Sequence, residues 1–170
     1  NPTYLLRAKS GRYVLRAKPP GELLKSAHQV DREFRVMKAL RGTKVPVPDA
    51  LFLAPEDSPI GRMFFVMGFL DGRIFWDPSL PELSGNAERA AIYDAMNAAL
   101  AALHDVDIER AGLADFGRPG SYFERQLSRW TSQYRASETD RVADMDRLIA
   151  WLEEHLPPDD GIVPLVHGDY

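Results

Sequence analysis

The sequence has no cysteine and no long apolar run, and both absences narrow the class of protein. Without cysteine, the 170-residue chain has no disulfide framework, cysteine-ligated zinc, iron–sulfur cluster or thiol nucleophile. No apolar run approaches the ~20 residues that a membrane-spanning helix needs. Its four histidines show no metal-ligand spacing such as His-x-x-x-His. We therefore expect a globular, cytoplasmic protein with no membrane partner and no histidine zinc site.

Charge is unevenly distributed along the chain, whose formal net charge is −4. Residues 1–48 contain 11 Lys or Arg and 3 Asp or Glu, whereas residues 49–170 contain 10 and 22. The basic first part favours an anionic ligand, and the acidic remainder argues against a nucleic-acid-binding protein. Solvated charged faces are the alternative explanation and the commoner cause of such runs.

Residues 1 to about 70 show the pattern of a small antiparallel sheet with one helix. Alternation, turn residues and a helical apolar stripe predict a hairpin of Thr3 to Ala8 and Arg12 to Lys18, a helix from Glu22 to Leu40, and strands from Ala50 to Leu53 and from Arg62 to Met67. The last strand lacks alternation, which is typical of a strand buried on both faces. Alternation in the second strand places Val14, Arg16 and Lys18 on the same face.

The second half is predicted to be mainly helical. Three helices and one short buried strand are predicted: Asn86 to His104, a helix that opens at Ser121, about Asp140 to His155, and the strand Ile162 to Val166. Ser121 and Glu124 have the spacing of a capping box. The change of pattern at the glycine-flanked segment from Gly68 to Gly72 predicts two domains, 1–70 and 71–170.

Four sequence features, each of which is weak evidence for a function when taken alone, occur in an order that is informative about function. Lys18 ends a strand, Glu33 lies on the following helix, a glycine-flanked connector follows the buried strand, and Asp169 comes after a strand. Individually, an exposed lysine, a surface glutamate or a turn aspartate is the more common explanation. Their order matches the parts of ATP-dependent phosphoryl transfer, in which a strand lysine, a helix glutamate and a hinge precede a catalytic aspartate.

The sequence resembles the aminoglycoside phosphotransferase and choline kinase-like family over essentially its whole length. His167-Gly168-Asp169 resembles the catalytic-loop signature of that family. Four more segments resemble the branch that includes the kinase-like domain of acyl-CoA dehydrogenase family members ten and eleven: Arg16 to Gly21, Asp31 to Arg35, Val45 to Pro48 and Leu103 to Asp107. The resemblance implies a two-lobed, protein-kinase-like α+β fold, with a small antiparallel-sheet lobe and a helical large lobe that is truncated in this chain.

The resemblance also implies how a nucleotide is held. Lys18 would contact phosphate oxygens, and Glu33 would orient Lys18. Asn1, at the tail of the phosphate-gripping loop, would supply a further phosphate contact. The hinge would hold adenine through the Gly68 carbonyl and the Leu70 amide, and it would place two side chains beside the base, Met67 and Phe69.

The family pattern makes Asp169 the catalytic base that accepts the hydroxyl proton of the acceptor, with His167 bracing its loop. The implied activity is ATP- and Mg²⁺-dependent phosphorylation of a small-molecule hydroxyl. The magnesium-binding residues of the family follow the His-Gly-Asp loop, so we expect no metal ligand within this chain. The chain does not begin with methionine. We therefore expect it to be part of a longer protein and to be inactive alone.

Two other functions stay open at this point. The branch resemblance favours a hydroxyacyl-CoA-like acceptor, but an aminoglycoside or choline-type kinase has the same fold. A non-catalytic nucleotide-binding module is the alternative from another class. The acceptor and the oligomeric state are not defined by the sequence.

Overall fold

The computed structural model describes residues 1–21 and 29–170, which form an antiparallel sheet and helices. The elements are β1 (Thr3–Ala8), β2 (Gly11–Ala17), α1 (Val30–Leu40), β3 (Ala50–Ala54), β4 (Phe64–Gly68), α2 (Asn86–His104), α3 (Tyr122–Ser137) and α4 (Ala143–Glu154). The predicted α+β class is confirmed. The first turns of the helix predicted from Glu22 fall on residues 22–28, outside the described part. No helix in the described part is long and apolar enough to cross a bilayer.

The four strands form one antiparallel sheet in the order β1-β2-β4-β3. The predicted hairpin is confirmed, with Thr3 opposite Arg16 and Ala8 opposite Gly11. Strand β4 lies between β2 and β3, and its Phe65 is completely buried. The predicted burial of this strand on both faces is wrong, because Phe65 is the one buried residue of β4 and the other four are partly exposed. Strand β4 is central through pairing at both edges, which does not cover its two faces.

Helix α1 packs on β3 and β4 through its apolar stripe. The rings of Phe34 and Phe65 lie 6.0 Å apart between centroids. Val30 and Leu40, at the two ends of α1, are buried. Burial of this stripe fixes the rotation of the helix, so that Glu33, at the edge of the stripe, is held beside the sheet.

The chain divides into two compact units. Unit 1 comprises residues 1–114 and 164–170 and contains the sheet, α1 and α2. Unit 2 comprises residues 115–163 and contains α3 and α4. These units group residues by compactness and do not test the lobes expected from the sequence, whose boundary near residue 70 stays a prediction.

The predicted capping box at Ser121 is wrong. Ser121 has left-handed backbone angles, φ 46° and ψ 40°, and makes no side-chain capping bond, whereas a capping serine needs extended backbone. Its N–H instead donates to Asp159 Oδ2 at 2.5 Å. The pKa of Asp159 is lowered because the carboxylate accepts the N–H groups of Gly161 and Ser121. A carboxylate from a distant loop therefore replaces the local cap.

The predicted buried strand from Ile162 to Val166 is also wrong. This segment forms no regular structure, and Ile162 and Val166 are 70% and 58% exposed. The four strands of the described residues pair only with one another. An apolar segment becomes a strand only where another strand offers hydrogen-bonding groups, and sequence composition does not contain that information.

Candidate functional site

All residues predicted to bind nucleotide or to act in catalysis lie in unit 1. They come from the start of the chain, the end of β2, helix α1, the segment after β4 and the His-Gly-Asp loop. The residues concerned are Asn1, Lys18, Glu33, Met67, Gly68, Phe69, Leu70 and Asp169. Asn1 and Glu33 are hydrogen-bonded to each other, whereas Lys18 and Glu33 have different partners.

Glu33 forms a two-pronged ion pair with Arg16. Its Oε2 accepts from Arg16 Nε at 2.5 Å, and its Oε1 accepts from Arg16 Nη2 at 3.2 Å. Asn1 Nδ2 also donates to Oε1, at 2.7 Å, and Arg16 Nη1 donates to Thr3 Oγ1 at 3.2 Å. Bidentate pairs fix both partners, because two parallel bonds define the planes of carboxylate and guanidinium. The pair, with each side chain 34% exposed, thus holds a cation at a fixed point between α1 and β2.

The expected contact between Lys18 and Glu33 is corrected by the structure. In the described residues, Lys18 Nζ bonds to Glu56 Oε1, and the Lys18 N–H donates to Met63 O at 3.0 Å. The pKa of Glu56 is lowered, first by the bond from Lys18 and then by the Met63 N–H. Strand β2 ends at Ala17. Lys18 consequently lies beside the connection between β3 and β4, and Arg16 is the cation that reaches α1.

The segment after β4 is bonded to the start of β2. The Phe69 N–H donates to Arg12 O at 3.2 Å. The Arg12 guanidinium lies 4.4 Å from the centroid of the Phe69 ring and pairs with Asp71 at 2.6 Å. Backbone, cation–π and ionic contacts together therefore define the conformation of this connector.

A free backbone donor lies in this connector. The Leu70 N–H has no hydrogen-bond acceptor within residues 1–21 and 29–170, and Leu70 is 62% exposed. Backbone N–H groups are obligatory donors, so this one bonds to water or to a ligand. This observation fits the predicted adenine contact, which itself stays a prediction.

Substitution of Gly68 with Ser should leave the KM for ATP within about twofold of the natural protein, because the predicted adenine contact uses backbone atoms. A Cβ at this position would meet Asp49 Cβ at 3.9 Å, an ordinary contact, and the φ angle is not left-handed. Steady-state kinetics of the Gly68→Ser variant of the full-length protein would test this expectation. A tenfold or larger rise in KM would contradict a purely backbone contact.

The His-Gly-Asp loop is held by a tight turn and by contact with α2. The Asp169 N–H donates to His167 O at 2.9 Å across Gly168, whose φ is +73°. This three-residue γ-turn uses a left-handed conformation that glycine adopts without steric cost. Tyr170 donates its hydroxyl to Met96 O at 2.7 Å, and its ring lies edge-on to His167 at 5.4 Å. His167 supports the loop through its carbonyl and this ring contact.

The described residues do not assemble a magnesium site. Within residues 1–21 and 29–170, no group of three or more His, Asp and Glu side chains is placed to hold a metal ion. The described residues fit a nucleotide better than a metal ion. The Arg16 guanidinium, the Asn1 amide and the Leu70 N–H are donors that can bond to phosphate and purine acceptors.

Sequence reasoning missed Arg16, Glu56 and Arg12. A signal for Arg16 was present, since alternation places it on the same strand face as Lys18. Glu56 lies in a polar connection and Arg12 at a strand start, where charged residues are common. Neither position carried a pattern that distinguishes a structural ion pair from an exposed charge.

Comparison with known proteins identifies the family. The sequence profile of the phosphotransferase enzyme family matches residues 1–170, the entire chain. The chain belongs to this family of phosphotransferases. The sequence is 49% identical to mouse acyl-CoA dehydrogenase family member 10 and 48% identical to rat acyl-CoA dehydrogenase family member 11, each over 170 residues. The branch predicted from the short segments is thereby confirmed.

The chain also matches a crystal structure from Ralstonia eutropha, provisionally named an aminoglycoside phosphotransferase. The TM-score is 0.83 and the sequence identity is 48% over the whole of this chain. The chain spans 49% of that solved chain, and 16% and 22% of the mouse and rat relatives. The matched region is therefore one part of each of these longer proteins.

Proposed function

We propose that this chain belongs to an enzyme that transfers the γ-phosphoryl group of ATP to a hydroxyl of a small molecule. The observation that carries the proposal is the Arg16–Glu33 pair, a cation fixed by a carboxylate in a phosphotransferase-family fold. Phosphoryl transfer depends mainly on positioning and on fixed positive charge near the phosphates. A bidentate guanidinium satisfies both requirements.

In this proposal, Arg16 and Lys18 supply the positive charge for the phosphates. Glu33, which also accepts a hydrogen bond from Asn1, holds Arg16, while Glu56 holds Lys18. Arg16 lies within β2, and Lys18 directly follows its last residue, Ala17. ATP, when bound, supplies the phosphoryl group, and the connector after β4 would hold its adenine between Met67 and Leu70.

Asp169 is proposed as the base. The acceptor oxygen forms a bond to the γ-phosphorus as the bond between that phosphorus and the leaving oxygen breaks, and ADP leaves. The hydroxyl proton passes to the Asp169 carboxylate. The exposure of Asp169 and the turn at Gly168 keep this carboxylate accessible to an acceptor. A base positioned in this way contributes roughly 10²–10⁴ to the rate.

A hydroxyacyl-CoA-like metabolite is the proposed acceptor. Two relatives that share 48–49% identity are named as acyl-CoA dehydrogenase family members, and that name favours a CoA-type acceptor. An aminoglycoside is the second candidate, because the solved relative carries that provisional name. Magnesium dependence and a cytoplasmic location stay predictions.

The two-lobed, kinase-like arrangement is also proposed for the longer protein. The whole chain superimposes on 49% of the solved relative with a TM-score of 0.83. A truncated large lobe would agree with this share. The lobes would then be residues 1–70 and a large lobe that begins at residue 71.

The proposed function can be tested with the full-length protein, ATP and three acceptor classes: hydroxyacyl-CoA thioesters, aminoglycosides and choline. We expect acceptor-dependent ADP formation with the thioesters and a new phosphate-ester signal in the ³¹P NMR spectrum of the product. Nucleotide binding without transfer to any acceptor would favour a non-catalytic module. Absence of ATP binding, measured by thermal stabilisation, would contradict the proposal.

A further inference from the structure

A groove on α3 in unit 2 is lined mainly by arginine and serine. We call it the arginine groove, and its lining residues are Arg118, Glu124, Arg125, Ser128, Arg129 and Ser132. Its volume is about 530 Å³, within the 300–1,000 Å³ that small-molecule sites occupy. No residue predicted from the sequence for nucleotide binding or catalysis belongs to it.

The arginines of unit 2 fall into two groups. Arg135 and Arg141 pair with Asp146 at 2.6 and 2.9 Å, and Arg147 pairs with Asp144. The pKa of Asp146 is lowered by its bonds from Arg141 and Arg135. By contrast, no arginine of the groove forms an ion pair with any carboxylate in residues 1–21 and 29–170.

The missing ion pairs do not reflect a shortage of carboxylates. Unit 2 contains six arginines and ten Asp or Glu residues. Glu124 is the one carboxylate among the lining residues. Asp159, whose pKa Arg125 helps to lower, is bonded to the N–H groups of Ser121 and Gly161. Three guanidinium groups thus concentrate positive charge in an otherwise acidic unit.

One arginine of the groove is held in place by uncharged acceptors. Arg125 donates to Arg118 O at 2.9 Å and to Pro119 O at 3.5 Å, and these two bonds order its side chain. The Arg129 guanidinium lies 5.5 Å from the centroid of the Trp130 ring. Ordered guanidinium groups lose less entropy when they bind a ligand.

We propose that the arginine groove binds the phosphate group of a small-molecule ligand. Guanidinium forks match phosphate oxygens bidentately. The Ser128 hydroxyl adds a neutral donor, whereas Ser132 donates its hydroxyl to Ser128 O at 2.8 Å. The site is independent of the Arg16–Glu33 pair and of the proposed catalytic step. It goes beyond the proposed function, because a second phosphate site would serve the acceptor or a regulatory ligand rather than the transferred phosphoryl group.

The test is a calorimetric titration of the full-length protein with inorganic pyrophosphate. Because pyrophosphate would also bind at the nucleotide site, the comparison is made in the R16Q background. Adding R118Q and R129Q to R16Q should weaken the remaining pyrophosphate binding at least ~10-fold. The single substitution R129K in the same background should weaken it several-fold, since lysine keeps the charge but not the fork. R147Q, which removes an arginine paired with Asp144, is the matched control and should change nothing.

Equal pyrophosphate affinity with and without the groove arginines would overturn the proposal. So would equal weakening by R147Q, which would indicate a general charge effect, or equally tight, equally groove-dependent binding of malonate, which would exclude a phosphate-specific site. Circular dichroism would confirm folding, and R129K serves as a second test if the triple variant does not fold. If R16Q leaves the KM for ATP unchanged, the proposed nucleotide site is wrong, but the proposal for the arginine groove is unaffected.

Discussion

Asp169→Asn in the full-length protein should lower kcat for phosphoryl transfer at least ~100-fold and change ATP affinity less than about twofold. Asparagine has nearly the same shape and can still accept a hydrogen bond, but it cannot take the hydroxyl proton. The turn across Gly168 uses backbone atoms only, so the loop should keep its conformation. Initial rates and an ATP-binding titration would measure the two quantities separately.

Asp94→Asn is the matched control for this substitution. Asp94 is exposed on α2 in the same unit and makes no hydrogen bond or ion pair within the described part of the chain. We expect wild-type kinetics from this variant. Near-normal turnover by the Asp169→Asn variant would show that Asp169 is not the base.

Arg16→Gln should raise the KM for ATP and lower kcat/KM at least ~10-fold, because a charge-assisted hydrogen bond to phosphate contributes about 1.5–3 kcal/mol. Lys18→Gln should have a smaller effect, since Lys18 is paired with an exposed Glu56 outside the Arg16–Glu33 network. Glu33→Gln should reproduce part of the Arg16→Gln defect, because it loosens the guanidinium without removing it. Steady-state kinetics with varied ATP would rank the three variants.

Arg41→Gln provides the control for loss of an ion pair. Arg41 pairs with Asp49 at 3.0 Å in unit 1, and both side chains are largely exposed. Such surface pairs contribute little, about 0–1 kcal/mol, so the kinetics should not change. If Lys18→Gln proves more damaging than Arg16→Gln, the role expected for Lys18 from the sequence is correct and the assignment to Arg16 is wrong.

The sequence was sufficient to predict the elements that carry the site, but not its contacts. Helical spacing predicted α1, and alternation predicted the face shared by Arg16 and Lys18. Which of the two cations meets Glu33 depends on where β2 ends and on how α1 packs across β3 and β4. The two-residue period of a strand shows on which face a side chain lies, whereas tertiary packing determines which other side chain it contacts.

Two of the incorrect predictions have related causes. Ser121 fits a capping motif, but its backbone is left-handed and its N–H donates to Asp159, which lies in a loop 38 residues away. The apolar segment from Ile162 to Val166 has strand-like composition, yet no strand of the described residues pairs with it. Both features depend on long-range partners, which local patterns do not specify.

The contacts of Arg12 determine where the chain can pivot after the sheet. Since Arg12 bonds to Phe69 and Asp71, these residues are mechanically part of the sheet. Gly72 is the first residue beyond them, and a Cβ placed there would meet no atom within 4 Å. A purine bonded to the Leu70 N–H would therefore lie within the segment that Arg12 ties to β2.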